Sequence, residues 1–241
     1  MNRTFIKLLL FLFMITLSPH SFAQVNDDQL GGWYMYFWSV SQKKDKTDND
    51  QSKWGLQGDI QYRNWNVAGD LEQLLLRGGV TYKPSSMKKG KFTLGYAHIT
   101  TGEFGDGTDT VEENRIYQEG LIPHRVGTRV FLTHRYRYEQ RFTDADKVRT
   151  RFRYALFMNI PFNRKDLKKG AIYLALYDEV FVNGERDIGG GATVDFFDRN
   201  RAYGALGYSL TNRLRTQFGY MQQTTNSWNK GQLQLSLHQA W

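Results

Sequence analysis

From Trp33 onward, apolar and polar side chains alternate with a period of two in segment after segment of the chain. Such alternation, punctuated by Gly, Pro, Asn and Asp clusters, predicts strands with two unlike faces. Ten segments carry it clearly: Trp33 to Val40, Trp54 to Arg63, Gln73 to Tyr82, Phe92 to Thr100, Val130 to Phe142, Val148 to Ile160, Ile172 to Asn183, Arg199 to Leu210, Leu214 to Gln222 and Gln232 to Trp241. Each is about as long as a tilted strand that crosses a bilayer, roughly 9 to 11 residues. Asn114 to Ile122, behind the acidic stretch Glu103 to Glu113, is a further candidate strand.

The faces sort cleanly. Trp54, Leu56, Ile60 and Tyr62 lie opposite Gln57, Asp59, Gln61 and Arg63. In the segment from Val148, the row Phe152, Tyr154, Leu156, Met158 and Ile160 lies opposite Arg149, Arg151 and Arg153. Tyr and Trp gather near the ends of the apolar rows, as an interfacial girdle requires. The chain closes on QLQLSLHQAW, with Leu233, Leu235, Leu237 and Trp241 on one side and Gln232, Gln234, Ser236 and His238 on the other. That ending reads as a lipid-facing last strand and as the signal by which a barrel is handed to its assembly machinery.

A soluble sandwich also alternates, but it gives no reason for aromatic-ended apolar rows on strand after strand. The start of the chain supports the membrane alternative. Arg3 and Lys7 flank the apolar run Leu8 to Leu17, and Ser21-Phe22-Ala23 has the small-x-small pattern of a cleavage site. The expected organisation is a signal peptide over 1–23 and one domain over 24–241. The fold expected is an all-β, antiparallel up-and-down transmembrane barrel of about 10–12 strands, placed in the outer membrane. The even-number rule of bacterial barrels then leaves ten or twelve. Working back from a periplasmic C-terminus, Thr224 to Gly231, Gly184 to Asp198 and Thr143 to Lys147 are expected outside, with Thr211 to Arg213 and Asn163 to Gly170 on the periplasmic side.

Composition adds two constraints. With no Cys there is neither a disulfide nor a thiolate metal site. The formal charge is +8, or +6 once Arg3 and Lys7 are removed, and an exported chain has no nucleic acid to meet. The base is concentrated in THRYRYEQRF, where Arg135, Arg137, Glu139 and Arg141 share a face, and in its neighbour, where Arg149, Arg151 and Arg153 do. Two adjacent strands would therefore line one wall with six arginines. Burying that wall requires partners, and the available carboxylates are Glu139, Asp59, Glu179 and Glu119. Two readings are open. One is an ion-pair lattice that fills a narrow barrel. The other is an anion-selective path or a pocket for a small anionic solute, because Arg forks match phosphate and carboxylate.

Catalysis has thinner support. His238 shares the lumenal row with Ser236, which would suit a lipid-acting barrel enzyme, but no nucleophile elbow or comparable signature occurs. No paired-His spacing or calcium-loop pattern points to a metal, and nothing points to a cofactor.

KWGLQGDIQYRNWN, EQLLLRGGVTY, THRYRYEQRF, RTRFRYALFMNIPF and FFDRNRAYGALGY together resemble an uncharacterised family of outer-membrane barrels of Gram-negative bacteria, known as a domain of unknown function. The resemblance implies a barrel in the outer membrane. It implies no activity, because that family has no catalytic or binding residues to carry over.

Overall fold

The computed structural model of the protein describes residues 29–41, 53–87, 90–105, 107–143 and 147–241. The expected leader lies outside the described residues. Thirteen strands follow in order: β1 (Gly31–Ser41), β2 (Lys53–Asn64), β3 (Leu71–Lys83), β4 (Lys91–Gly102), β5 (Thr110–Val126), β6 (Val130–Phe142), β7 (Arg149–Pro161), β8 (Ile172–Asn183), β9 (Asp187–Gly189), β10 (Ala192–Thr193), β11 (Phe197–Ser209), β12 (Leu214–Thr224) and β13 (Asn229–Ala240). The pair β9–β10 is a small hairpin in the connection between β8 and β11, and the other eleven strands close into a barrel.

The all-β barrel is as expected, but its strand number is neither ten nor twelve. The Asn114 to Ile122 candidate is real and belongs to β5, which pairs with β4 on one side and β6 on the other. Eleven strands alternating in direction leave the first and last pointing the same way, so the barrel can close only through a parallel pair. That seam is β1 against β13, in register from Gly31 opposite Gln232 to Ser39 opposite Ala240. All ten other neighbour pairs in the barrel are antiparallel. The start of β1 and the end of β13 consequently lie at opposite ends of the barrel. The short turn after β11 and the connection after β7 fall at the end that carries the C-terminus. The connections after β8 and β12 fall at the far end, which agrees with the grouping expected from loop lengths.

Burial runs inside out relative to a water-soluble domain. Large apolar residues of the outward rows are exposed, among them Leu94 at 61 %, Leu206 at 63 % and Phe218 at 58 %, while Arg137, Glu139, Arg151, Glu179 and Gln232 are buried in the lumen. The one carboxylate in the outward row of β8 is Asp178, which accepts a hydrogen bond from Asn200 Nδ2 at 3.1 Å. No described helix is long and apolar enough to cross a membrane, a fact without bearing on strands.

The lumen is not purely polar. Trp33, Tyr173, Tyr203 and Met221 form an apolar cluster against one wall, and Leu75, Ala97 and Ile99 form a smaller one. Two tyrosine rings lie flat because the residue opposite each is glycine: Gly95 faces Tyr117 and Gly207 faces Tyr173 across the ladder. A side chain at either glycine would overlap the ring. Such aromatic cover of a glycine is a means of fixing register.

Substituting Gly207→Leu should displace Tyr173, break its hydrogen bond from Gln217 Nε2 at 3.2 Å, and destabilise the barrel by roughly 1–3 kcal/mol, as overpacking does. Thermal unfolding of the purified variant against the parent, followed by circular dichroism, reads the shift.

Candidate functional site

The six arginines of β6 and β7 do form one lumenal wall, because β6 and β7 are neighbours in a register that sets Arg137 opposite Arg153, Glu139 opposite Arg151 and Arg141 opposite Arg149. Like charges side by side repel, and the wall is stable only because carboxylates are threaded between them. The central device is a closed ring. Glu139 accepts from Arg153 at 2.6 Å, Arg153 pairs with Glu179 at 2.7 Å, and Glu179 pairs with Arg135 at 2.6 Å. Arg135 lies 4.0 Å from Glu119, Glu119 is held by Arg137, and Arg137 returns to Glu139 at 3.6 Å. Three guanidiniums and three carboxylates thus cancel across β5, β6, β7 and β8. The two longer edges are ion pairs without a hydrogen bond, and they leave Arg135 Nε and Arg137 Nη1 without one.

Further pairs extend the ring toward the far end. Arg151 binds Glu139 at 2.7 Å and Asp198 at 2.9 Å, and Glu113 takes both Arg115, at 2.7 Å, and Arg141. Arg149 has no ion pair among the described residues. The carboxylates expected as partners are all lumenal, but they divide the work differently from expectation. Glu139, Glu179 and Glu119 serve the arginine wall, whereas Asp59 is turned away from it and bound by Arg77 at 2.9 and 3.0 Å. Glu113 and Asp198 are partners that the sequence did not suggest, because each closes a segment expected to lie outside the strands, whereas they fall within β5 and β11. Outside the barrel wall, the Asp187 carboxyl is held below its usual value by its hydrogen bond from Lys147 and by the Gly189 amide.

Side chains also meet across the barrel. Gln57 of β2 donates to Glu119 of β5 at 2.9 Å, Gln234 of β13 donates to the Tyr177 hydroxyl of β8 at 3.3 Å, and the Arg201 guanidinium of β11 lies over Trp33 of β1. Toward the far end, Phe181, Gln223, Lys230 and Gln232 are each at most 1 % exposed, so the lumen is filled there. Toward the end that carries the C-terminus it opens into a cavity of about 600 Å³, whose lining reaches the turn residues Asn212 and Arg213.

Nine basic side chains and three carboxylates, Asp59, Glu119 and Glu179, line this cavity. Arg77, Arg135, Arg137 and Arg153 are the paired ones. The other five, Arg63 and Arg201 at the deep end and Lys91, Arg213 and Arg215 near the mouth, have no carboxylate within ion-pairing distance among the described residues. The excess base therefore does not sit where the arginine density of the sequence places it. Apart from Arg149 the dense wall is paired, and the surplus comes from β2 (Arg63), β4 (Lys91), β11 (Arg201), β12 (Arg215) and the turn before it (Arg213). Aromatic rings, among them Phe37, Tyr117, Phe157 and Tyr177, supply the rest of the walls.

At the mouth, Ser236 Oγ and His238 Nε2 are 3.0 Å apart, and the imidazole stacks on Phe37 with centroids 4.8 Å apart. The pair has the first contact an acyl-transfer site needs. Among the described residues no carboxylate or amide holds the other ring nitrogen, so the orienting third group is not supplied. Nor is any metal-holding group of His and carboxylates found among the described residues.

Fold and lumen together define a class: a closed, single-layer β-barrel with an apolar exterior and a charged, largely ion-paired interior. The chain belongs to the protein family DUF2490, a family of unknown function, whose model matches residues 30–234. No curated protein and no solved structure matches the chain.

Because Glu139 is the shared node of the lattice, Glu139→Gln should cost roughly 3–5 kcal/mol of stability, the range for removing one partner of a buried ion pair. Arg149→Gln, outside the lattice, should stay within about 0.5 kcal/mol of the parent. Urea unfolding midpoints of the two variants make the comparison.

Proposed function

We propose that the protein is an outer-membrane β-barrel with a closed lumen, which receives a small organic anion through the end that carries its C-terminus. The observation that carries this reading is the cavity that ends against filled lumen and keeps five basic side chains without a carboxylate partner among the described residues. A buried cation without a counter-charge is costly, and a cavity beside it gives an anion room to supply the missing charge. Membrane placement is supported by the outward rows. Soluble monomers rarely expose contiguous apolar patches beyond a few hundred Å², yet Leu56, Leu76, Val80, Leu94, Phe152 and Leu206 are all exposed on the outer wall. Strands of 11 to 17 residues are long enough to cross a bilayer at a tilt. The outward row Leu233, Leu235 and Leu237 of β13 fits a strand handed to the barrel assembly machinery, with Trp241 just beyond it.

An anion-conducting pore fits less well. Conduction needs a continuous aqueous path, and the far end of the lumen is packed with Phe181, Gln223, Lys230 and Gln232. A barrel serving only as scaffold would have no use for unpaired cations facing a cavity.

Purified barrel reconstituted in planar bilayers should give no steady conductance, and the double variant Glu139→Ala/Arg153→Ala, which removes the node of the lattice, should give a fluctuating one. Steady anion current through the parent would refute the closed-lumen reading. On a gel the unheated protein should migrate as a compact species that shifts on boiling, and in cells it should sediment with the outer membrane. Recovery in the aqueous fraction without detergent would refute membrane placement.

A further inference from the structure

Arg63 and Arg201 are the least expected pair in the molecule. Both are buried, at 5 % and 7 % exposure. Their guanidiniums lie 3.9 and 4.8 Å from the centroid of the same Trp33 ring, so two like charges are close neighbours at the blind end of the cavity. Neither has a carboxylate partner among the described residues. Arg63 donates to Gln61 and Gln73, and Arg201 donates through Nε to Gln223 at 2.7 Å. Two carboxylates lie in the neighbourhood, and neither forms an ion pair with these arginines, though Glu72, on the indole they share, places one negative charge beside them. Glu179, directly across the ladder from Arg201, is turned to Arg135 and Arg153. Glu72 accepts from the Trp33 indole at 2.8 Å and from Gln232 at 3.4 Å.

Resting on the reading of the lumen as an anion pocket, we infer that Arg63 and Arg201 form the head-group site for a phosphate monoester, whose apolar body lies along the cavity toward its mouth. The charge argues for phosphate. Glu72 stands beside the pair without bonding to either guanidinium, and a carboxylate ligand has two oxygens to share between two forks, whereas a phosphate monoester carries about −1.5 to −2 at neutral pH and three terminal oxygens. Guanidinium forks match those oxygens in pairs. Cation–π contacts hold both guanidiniums at the Trp33 ring, and Arg201 at Phe181 as well, and such contacts use none of their N–H groups. The walls argue for the rest of the molecule. Tyr177 stacks on Tyr203 with centroids 4.7 Å apart, and Phe157 lies beside Tyr177 at 5.5 Å, so the path from the arginines to the mouth is shelved with rings. Inorganic phosphate would fill the head-group site and leave this shelf bare.

Calorimetry on the detergent-solubilised full barrel, with phenyl phosphate, inorganic phosphate and benzoate as probes, tests the assignment. Phenyl phosphate should bind at least tenfold more tightly than either of the others. Arg63→Gln and Arg201→Gln should each weaken it about tenfold or more, the loss of a charge-assisted pair, while Arg213→Gln at the mouth should weaken it far less. Folding is checked on the same samples. Removing a cation that has no ion-paired carboxylate should leave the ligand-free melting temperature of Arg201→Gln equal to or above that of the parent, and a given concentration of phenyl phosphate should raise the melting temperature of the parent and of Arg213→Gln more than that of either deep variant. Benzoate binding as tightly as phenyl phosphate would overturn the phosphate assignment. Full affinity in both deep variants with loss in Arg213→Gln would overturn the site and leave the anion pocket standing, now at the mouth. A parent barrel that binds none of the three would overturn both this inference and the pocket it rests on.

Discussion

A charge inside a closed barrel has to be met by another charge inside the same barrel. The wall offers only backbone already engaged in the ladder, and an apolar exterior gives a side chain nothing polar to reach outward for. Everything in this lumen follows from how that demand is met. On the side of β5 to β8 it is met internally: Glu139, Glu179 and Glu119 alternate with Arg153, Arg135 and Arg137 around a closed ring, and each carboxylate serves two guanidiniums. Sharing is also what lets Glu139 hold Arg151 and Glu113 hold both Arg115 and Arg141, so that Arg149 alone of the six wall arginines has no ion pair among the described residues. It also makes the wall rigid, because no member can turn without exposing a neighbour.

On the opposite side the demand is met only in part. Arg63 of β2 and Arg201 of β11 are met by amide acceptors and by the Trp33 indole of β1, while the carboxylates of their own strands, Asp59 and Asp198, are ion-paired to Arg77 and Arg151. The parallel seam passes through this same region. β1 is the strand that an even-numbered barrel would lack or pair differently, and its lumenal row of Trp33, Met35 and Phe37 widens the lumen and fills the extra space with apolar bulk. A strand of that composition cannot neutralise the arginines beside it. The parallel seam, its apolar lumenal row and Arg63 on the neighbouring β2 therefore coincide, and Arg201 reaches them from β11.

The fold was largely legible in the sequence because each strand announces itself locally, through a period-two row that needs no knowledge of its neighbours. The arginine wall was legible for the same reason: Arg135, Arg137 and Arg141 and their counterparts on the next segment share a face by spacing alone. What could not be read was every property that depends on closure. The even-number rule pointed away from eleven strands, although the segment that makes the eleventh, Asn114 to Ile122, was visible. Asp59 was a reasonable partner for the wall by residue type, yet its register sets it opposite Arg77. Neither Arg63 nor Arg201 stands out by spacing: Arg63 follows Gln57, Asp59 and Gln61 in an ordinary polar row, and Arg201 follows Arg199 at a strand end. Only the ring order β2, β1, β13, β12, β11 brings them to one indole.

The two halves of the lumen are two answers to a single electrostatic problem, and they differ in what they leave available. A complete lattice is inert toward solutes, because an incoming anion would have to displace a carboxylate already held by two forks. A partial one is poised, since its two deep cations are buried and oriented, and no carboxylate is ion-paired to either of them. Arginine density alone is therefore a poor guide to where a barrel of this kind meets a ligand. The better guide is the difference between cations and carboxylates around a cavity, and that difference here sits across the lumen from the segment richest in arginine.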